Sequence, residues 1–394
     1  MRYRRFGRTG LQMPLITCGG MRFQYKWNDI SWKEVPGESQ QNIEKIMARA
    51  HELGIRHVET ARGYGSSEMQ LGPVLAAFPR EDWILQTKVA PHANPRVFLQ
   101  NFEKSLSYLK VDFVDLLALH GINNETIARH AMRKGGCLEV ARKLQREGRV
   151  RHVGFSSHGS TQVILDCVNS GGFDYVNLHW YFVNELNWPA VEAATRQDMG
   201  VFIISPNDKG GKLYEPPDKL KAACSPLHPM VFNDLFCWSR PDVHTLSMGV
   251  ARPEDFDAHV EALGMIDRTD ELVPVIEARL RDQIQAATGI AWRAGWDLGF
   301  PEWQKVRWGI HTREIVRLWI FAKTFDMVEF GRMRYNLLGN AGHWFPGRKV
   351  WYFNDRKMIE LHRDSPFADR LPGILREAHA LLDGEGVKRL SKSD

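Results

Sequence analysis

The chain has 394 residues, 43% hydrophobic and 25% charged, the proportions of an ordinary globular protein rather than a disordered or fibrous one. A formal net charge of +5, with bases interleaved among acids, gives no support to a nucleic-acid partner. No apolar run approaches the ~20 residues of a membrane helix.

In chain order, residues 1–7 are basic but lack the apolar stretch of a signal peptide, which makes the cytoplasm the expected compartment. Residues 15–21 read as a buried strand ending in glycines. Residues 39–54 read as a helix capped by Ser39, with Ile43, Ile46, Met47, Ala50 and Leu53 at helical spacing and Gly54 ending it. Strand signals recur at 55–59, 84–88, 113–120, 150–155, 175–179, 201–205 and 243–248, which with the first makes eight. Amphipathic helical stretches lie at 95–109, 137–147, 160–170, 188–198 and 253–263, the first with Asn94 as cap and Pro95 in its first turn. Near-continuously apolar strands alternating with helices predict a parallel sheet covered on both faces. Closed as a (β/α)₈ TIM barrel it would occupy about 250 residues, matching residues 1–268. A doubly wound dinucleotide-binding sheet would carry a G-x-G-x-x-G turn after its first strand, and Cys18-Gly19-Gly20-Met21-Arg22-Phe23 does not supply one.

From residue 269 to 394 the pattern changes to helices (271–287, 312–325 and 366–382, the last interrupted by Pro372) and aromatic-rich loops. Trp292, Trp296, Trp303, Trp308, Trp344 and Trp351 are irregularly spaced there and read as packing of an accessory, mainly helical lobe. A stacking platform for single-stranded nucleic acid is the weaker alternative. Five scattered cysteines (Cys18, Cys137, Cys167, Cys224, Cys237) form no C-x-x-C pair, so neither a disulfide framework nor a metal site is expected.

Chemistry concentrates at three successive strand ends, where active sites of parallel α/β folds sit. Glu59 closes one strand and Tyr64 follows between Gly63 and Gly65; Lys88 closes the next strand and His120 the third. Taken singly, His120 would be a satisfied strand-end histidine, and Lys88 with Glu59 a partly buried ion pair. Together they make a proton-transfer set. An unperturbed phenol titrates near ~10, a neighbouring ammonium is expected to lower that value, a carboxylate would hold the ammonium charged, and an imidazole could orient a carbonyl oxygen.

Glu59-Thr60-Ala61-Arg62-Gly63-Tyr64-Gly65-Ser66-Ser67-Glu68, Thr87-Lys88 and Leu119-His120 resemble the aldo-keto reductase family over about the first two-thirds of the chain. That family's tetrad is Asp, Tyr, Lys and His in this order, so Glu59 stands where Asp is usual. The resemblance implies a (β/α)₈ barrel binding NADPH without a Rossmann domain, and reduction of a small aldehyde or ketone with Tyr64 as proton donor. It further implies cofactor contacts from Gly20 and Met21, from Ser156 and Asn177 (Asn177 where Gln is usual) to the carboxamide, and from Ser205, Pro206, Gly210 and Gly211 around the pyrophosphate. Gly249 and Arg252 would then meet the adenosine phosphate, with Arg252 at a helix start reading the 2′-phosphate. Segments around Tyr335, residues 342–347 and 365–379 resemble a ferredoxin-like extension of some relatives. No cysteine follows Cys237, so no iron–sulfur cluster is expected. The competing classes are a non-catalytic NADP(H)-binding redox sensor or interaction protein, and an isomerase or lyase on the same barrel, which would need metal or phosphate ligands. Oligomeric state is left open.

Overall fold

The computed structural model describes residues 1–385, so residues 386–394 of the expected C-terminal lobe lie outside the described residues. Among the described residues there are ten strands: β1 Tyr3–Arg5, β2 Gln12–Pro14, β3 Ile16–Gly19, β4 His57–Glu59, β5 Ile84–Val89, β6 Val114–Leu119, β7 Val150–Ser156, β8 Tyr175–Leu178, β9 Gly200–Ile204 and β10 Thr245–Gly249. β3 to β10 close into an eight-stranded barrel in sequence order, with β10 returning to β3, and every pairing is parallel. All eight expected barrel strands are found.

Period-2 alternation turns one set of side chains of each strand into the barrel. At its base Leu116, Ala118, Tyr175 and Phe202 form an apolar cluster with Phe6 and Met13 from the hairpin β1–β2, which plugs that end. Gly154 has no Cβ for a reason, since one would stand 2.6 Å from the Tyr175 ring. Higher up the interior turns polar: Thr17 Oγ1 lies 2.7 Å from His57 Nδ1 and 2.8 Å from Thr245 Oγ1. One layer above, at the C-terminal ends of the strands, come Glu59, Lys88, Ser156, Asn177 and Ser247.

The plugging hairpin was not expected, because three-residue strands carry too little alternation to register. The helix expected at 39–54 is Gly37–Glu52, and Pro36 rather than Ser39 takes its N-cap position. Ser39 instead accepts a hydrogen bond from Gln70 Nε2 at 3.1 Å. Pro95–Leu109 forms as expected, Asn94 accepting from the Arg96 amide. The stretch 253–263 divides into a 3₁₀ turn Pro253–Phe256 and a helix Asp257–Gly264. Pro372 begins the last helix, Leu371–Leu382, rather than interrupting it; in a first turn its missing N–H leaves nothing unsatisfied.

Beyond the barrel come helices Thr269–Thr288, Thr312–Phe325, Val328–Tyr335, Asp355–Leu361 and Leu371–Leu382; the first packs on the barrel's helices Asp218–Cys224 and Pro229–Trp238, and Thr312–Phe325 joins it to the rest. Trp292 Nε1 donates to the Phe182 carbonyl at 3.1 Å, Arg317 to the Val183 carbonyl at 2.8 Å, and Arg281 pairs with Glu185 at 3.0 Å. The apolar core runs unbroken across residue 268, from Leu235 and Phe236 to Ile276, Leu280 and Ile284. Trp292, Trp296 and Trp308 are buried in it, whereas Trp351 is 63% exposed.

Candidate active site

The loop after β4 is pinned before it reaches Tyr64. Gly65 adopts φ 54°, and a Cβ there would lie 2.0 Å from the Lys26 carbonyl, so only glycine lets this backbone approach. The Tyr64 amide donates to the Ala61 carbonyl at 2.9 Å and its carbonyl accepts from the Ser67 amide at 3.0 Å. The phenol is thereby held over the end of β5. There the Lys88 ammonium spends its three protons on Glu59 Oε2, the Thr60 carbonyl (3.0 Å) and the Tyr64 hydroxyl oxygen (3.4 Å). Ser247 Oγ, from β10 on the far side of β3, donates to the second Glu59 oxygen at 2.8 Å. His120, after β6, meets the Tyr64 ring edge-on at 5.6 Å and 86°. All four expected proton-transfer residues therefore meet in one place.

Lys88 and Glu59 are 2% and 4% exposed, so electrostatics there act with little screening. Burial opposes the Lys88 ammonium, but Glu59 and then Tyr64 outweigh it and hold its pKa above the ordinary lysine value. The Tyr64 phenol departs from expectation. Burial pushes its pKa up, and the Lys88 charge, the largest opposing influence, only partly offsets this because Glu59 reinforces the rise. The phenol thus keeps its proton at neutral pH, and because its oxygen accepts from Lys88, that proton is left to point elsewhere. Burial, followed by Lys88, drives His120 down to about 3, leaving a neutral imidazole.

These groups line a cavity of about 640 Å³ together with Met21, Ser156, Ser205, Pro206, Gly249 and Arg252. Gly20, Asn177, Gly210 and Gly211 are not in its lining. Gly20 and Gly210 serve close packing, since a Cβ would meet the Glu59 carbonyl at 2.8 Å or the Pro206 carbonyl at 1.7 Å. Gly211 faces Met327 of the C-terminal helices. Asn177 pairs in register with Ser156, is fully buried, and has both amide atoms without a partner. Arg252 is exposed and held by Asp255 at 2.9 Å. Lys212, next to Gly211 in the same loop, pairs with Glu329 at 2.6 Å.

Sequence reasoning passed over several wall residues. Arg22, one position past Met21, lies 3.4 Å from the same Asp255 that holds Arg252. Ser247, which anchors Glu59, looked like any strand-end serine. His158 and Lys209 sit where two strand-end loops meet, with Lys209 Nζ 3.2 Å from His158 Nδ1. His259 is buried, held by Asp234 and within 3.0 Å of Asn207. Among the described residues no three His, Cys, Asp or Glu side chains are placed to hold a metal ion, and no helix is long and apolar enough to cross a membrane.

Residues 15–185 match the aldo/keto reductase family profile. An aldo-keto reductase from Bacillus halodurans in its holo form superposes with a TM-score of 0.60 at 20% identity, over 71% of this chain and 96% of its own. One from Klebsiella pneumoniae, solved in complex with NADPH, gives 0.54 at 18% identity, over 69% and 95%. At such identities the likeness is one of fold. No curated protein sequence matches the chain.

Proposed function

We propose that this chain, whose residues 15–185 belong to the aldo/keto reductase family, is an oxidoreductase that reduces a small aldehyde or ketone to an alcohol with NADPH and with Tyr64 as proton donor. The observation carrying this reading is the Lys88 ammonium bonded at once to Glu59 and to the Tyr64 oxygen, with His120 beside the ring. Such a set has one evident use, delivering a proton to an oxygen that is gaining charge.

The walls fit the cofactor. Ser156 in the wall, backed by the buried and unpartnered Asn177 amide adjacent to it in register, suits a carboxamide, which offers both donor and acceptor. Met21, Ser205 and Pro206 would flank the ring and pyrophosphate, and Gly249, Arg252 and Arg22 the adenosine end. When bound, NADPH would supply a hydride to the carbonyl carbon. His120, neutral, donates a hydrogen bond that orients the carbonyl oxygen toward Tyr64. As negative charge develops there, Tyr64 Oη releases its proton to that oxygen, and the phenolate left behind is stabilised by the Lys88 ammonium. Glu59, fixed by Ser247, keeps that ammonium charged and in place.

Tyr64→Phe tests the assignment because it removes one oxygen and little else. Aldehyde-dependent NADPH oxidation should lose ~100-fold or more in kcat, with NADPH affinity, read by fluorescence titration, nearly unchanged. Full activity in this variant would move the acid role to another group.

A further inference from the structure

Three imidazoles line the catalytic cavity, those of His120, His158 and His259. His120 has its task in the reduction, and His259 has both ring nitrogens engaged, one by Asp234 and the other by Asn207. His158, half-buried, has one engaged and one not. Its Nδ1 lies 2.5 Å from His179 Nε2 and 3.2 Å from Lys209 Nζ, whereas its Nε2 makes no hydrogen bond among the described residues and is not sealed inside the protein. The ring is held on both sides, stacked on His179 at 4.7 Å and meeting Trp344 edge-on at 6.5 Å. Burial, followed by the Lys209 charge, drives the His158 pKa well below the ordinary histidine value, and burial does the same at His179, so the pair is neutral and shares one proton between Nδ1 and Nε2.

The position of this nitrogen is fixed relative to the reacting groups. The register of β6 with β7 pairs Leu119 with Phe155 and so brings Ser156 beside His120. Ser156 Oγ accepts from the Gly121 amide at 2.9 Å, and its carbonyl accepts from the Ile122 amide at 2.9 Å. One step further out, Ser157 Oγ donates to the Ile122 carbonyl at 2.7 Å and the His158 amide donates to Asn123 Oδ1 at 2.7 Å. Gly159 lets the two loops close, since a Cβ there would stand 2.7 Å from the Asn123 carbonyl oxygen. The loop carrying His158 is thus sewn to the loop carrying His120, and both rings face one cavity. The proton between the two histidines has two placements. The Ile204 carbonyl, 3.1 Å from His179 Nδ1, only accepts and favours hydrogen on His158 Nδ1; Lys209, which only donates, favours the reverse. In either placement His158 Nδ1 is spent inside the protein and Nε2 is left for a ligand, as acceptor in the first and donor in the second. A hydroxyl, which both donates and accepts, pairs with it in both.

We infer that His158 determines substrate specificity: its Nε2 hydrogen-bonds a hydroxyl that the substrate carries near its carbonyl, and His179 is the positioning residue that holds this nitrogen in place. The inference rests on the carbonyl-reduction reading for the substrate's other group.

Two matched pairs test it with the full chain: glycolaldehyde against acetaldehyde, and 3-hydroxybutanal against butanal. The wild type should favour the hydroxylated member of at least one pair by about fivefold or more in kcat/KM. Counted in bonds from Cβ, a glutamine amide reaches the place of Nε2 and an asparagine amide only that of Nδ1, so the two substitutions separate the nitrogens. His158→Asn should erase the preference, the loss falling on KM of the hydroxylated member, and His158→Gln should keep part of it. A merely structural role would move both members of a pair alike. To read the contact without turnover, propane-1,3-diol and 1-propanol are titrated by ligand-observed NMR, and His158→Asn should weaken the diol relative to the alcohol by about fivefold. Equal handling of both members by the wild type, or a preference that survives His158→Asn, would overturn the inference. Absence of all carbonyl turnover would instead remove the reduction reading, and the titrations then decide for or against His158. Should His158→Asn not fold, by circular dichroism, His158→Phe takes its place in both assays, because it keeps the ring packing and removes both nitrogens.

Discussion

Glu59 performs two tasks that substitution can separate, holding the charge of Lys88 and reaching it. Glu59→Asp keeps the charge but withdraws the carboxylate by one C–C bond, about 1.5 Å. The present carboxylate bonds Lys88 with one oxygen and Ser247, at 2.8 Å, with the other, and a shortened one cannot keep both. Losing one charge-assisted hydrogen bond costs about 1.5–3 kcal/mol, or roughly ten- to a hundredfold in kcat/KM if it is needed in the transition state. Glu59→Gln keeps the reach, with an amide oxygen for Lys88 and an NH₂ for Ser247, but removes the charge. Burial then acts on Lys88 without its main counterweight, and its pKa must fall from the raised value. The ammonium is needed to stabilise the Tyr64 phenolate, so the alkaline limb of kcat against pH should move to lower pH, and more in Glu59→Gln than in Glu59→Asp. Leaving an unpaired buried charge should also destabilise Glu59→Gln by about 3–5 kcal/mol in urea denaturation. Both variants are assayed across pH with one aldehyde at saturating NADPH. Profiles unchanged in both would remove Glu59 from the mechanism and leave it a structural strand-end residue.

Two further outcomes are expected. If Arg252 reads the 2′-phosphate, Arg252→Ala should weaken NADPH about tenfold while NADH changes little; equal losses would place Arg252 at the pyrophosphate or in the fold, and Arg22, tied to the same Asp255, would be the residue to test next. Stability should also fall on acidification. Burial holds His57 and His120 at about 3, so between pH 6.5 and that value the unfolded chain binds protons the folded one refuses. Full stability is present above pH 6.5, and each such histidine removes about 1.4 kcal/mol per unit below it. Urea midpoints from pH 7.5 to 4.5 should show this slope, shallower in His57→Gln; a flat profile would mean the imidazoles are solvated.

What was legible in the sequence followed from burial on two faces. Barrel strands covered inside and out must be almost wholly apolar, so a polar residue closing such a run, as Glu59, Lys88 and His120 do, stands out without any knowledge of its neighbours. Tyr64 stood out because the flanking Gly63 and Gly65 suggest a backbone shaped to expose its ring. Ser247 had no such signal: its meaning depends on β10 closing against β3, which brings it within reach of Glu59 on β3's other neighbour. Arg334 is the extreme case. In Glu329-Phe330-Gly331-Arg332-Met333-Arg334 it reads as one of two surface arginines on a helix, and Arg332 does reach out to the Leu381 carbonyl. Only the packing of that helix against Thr312–Phe325 and Leu371–Leu382 buries one and not the other, and so leaves a guanidinium without an ion pair among the described residues. Long-range docking thus decides which charges are buried, whereas short-range pattern decides where a parallel strand ends. A catalytic set built on strand ends is accordingly readable from one chain, and a charge buried between elements distant in sequence is not.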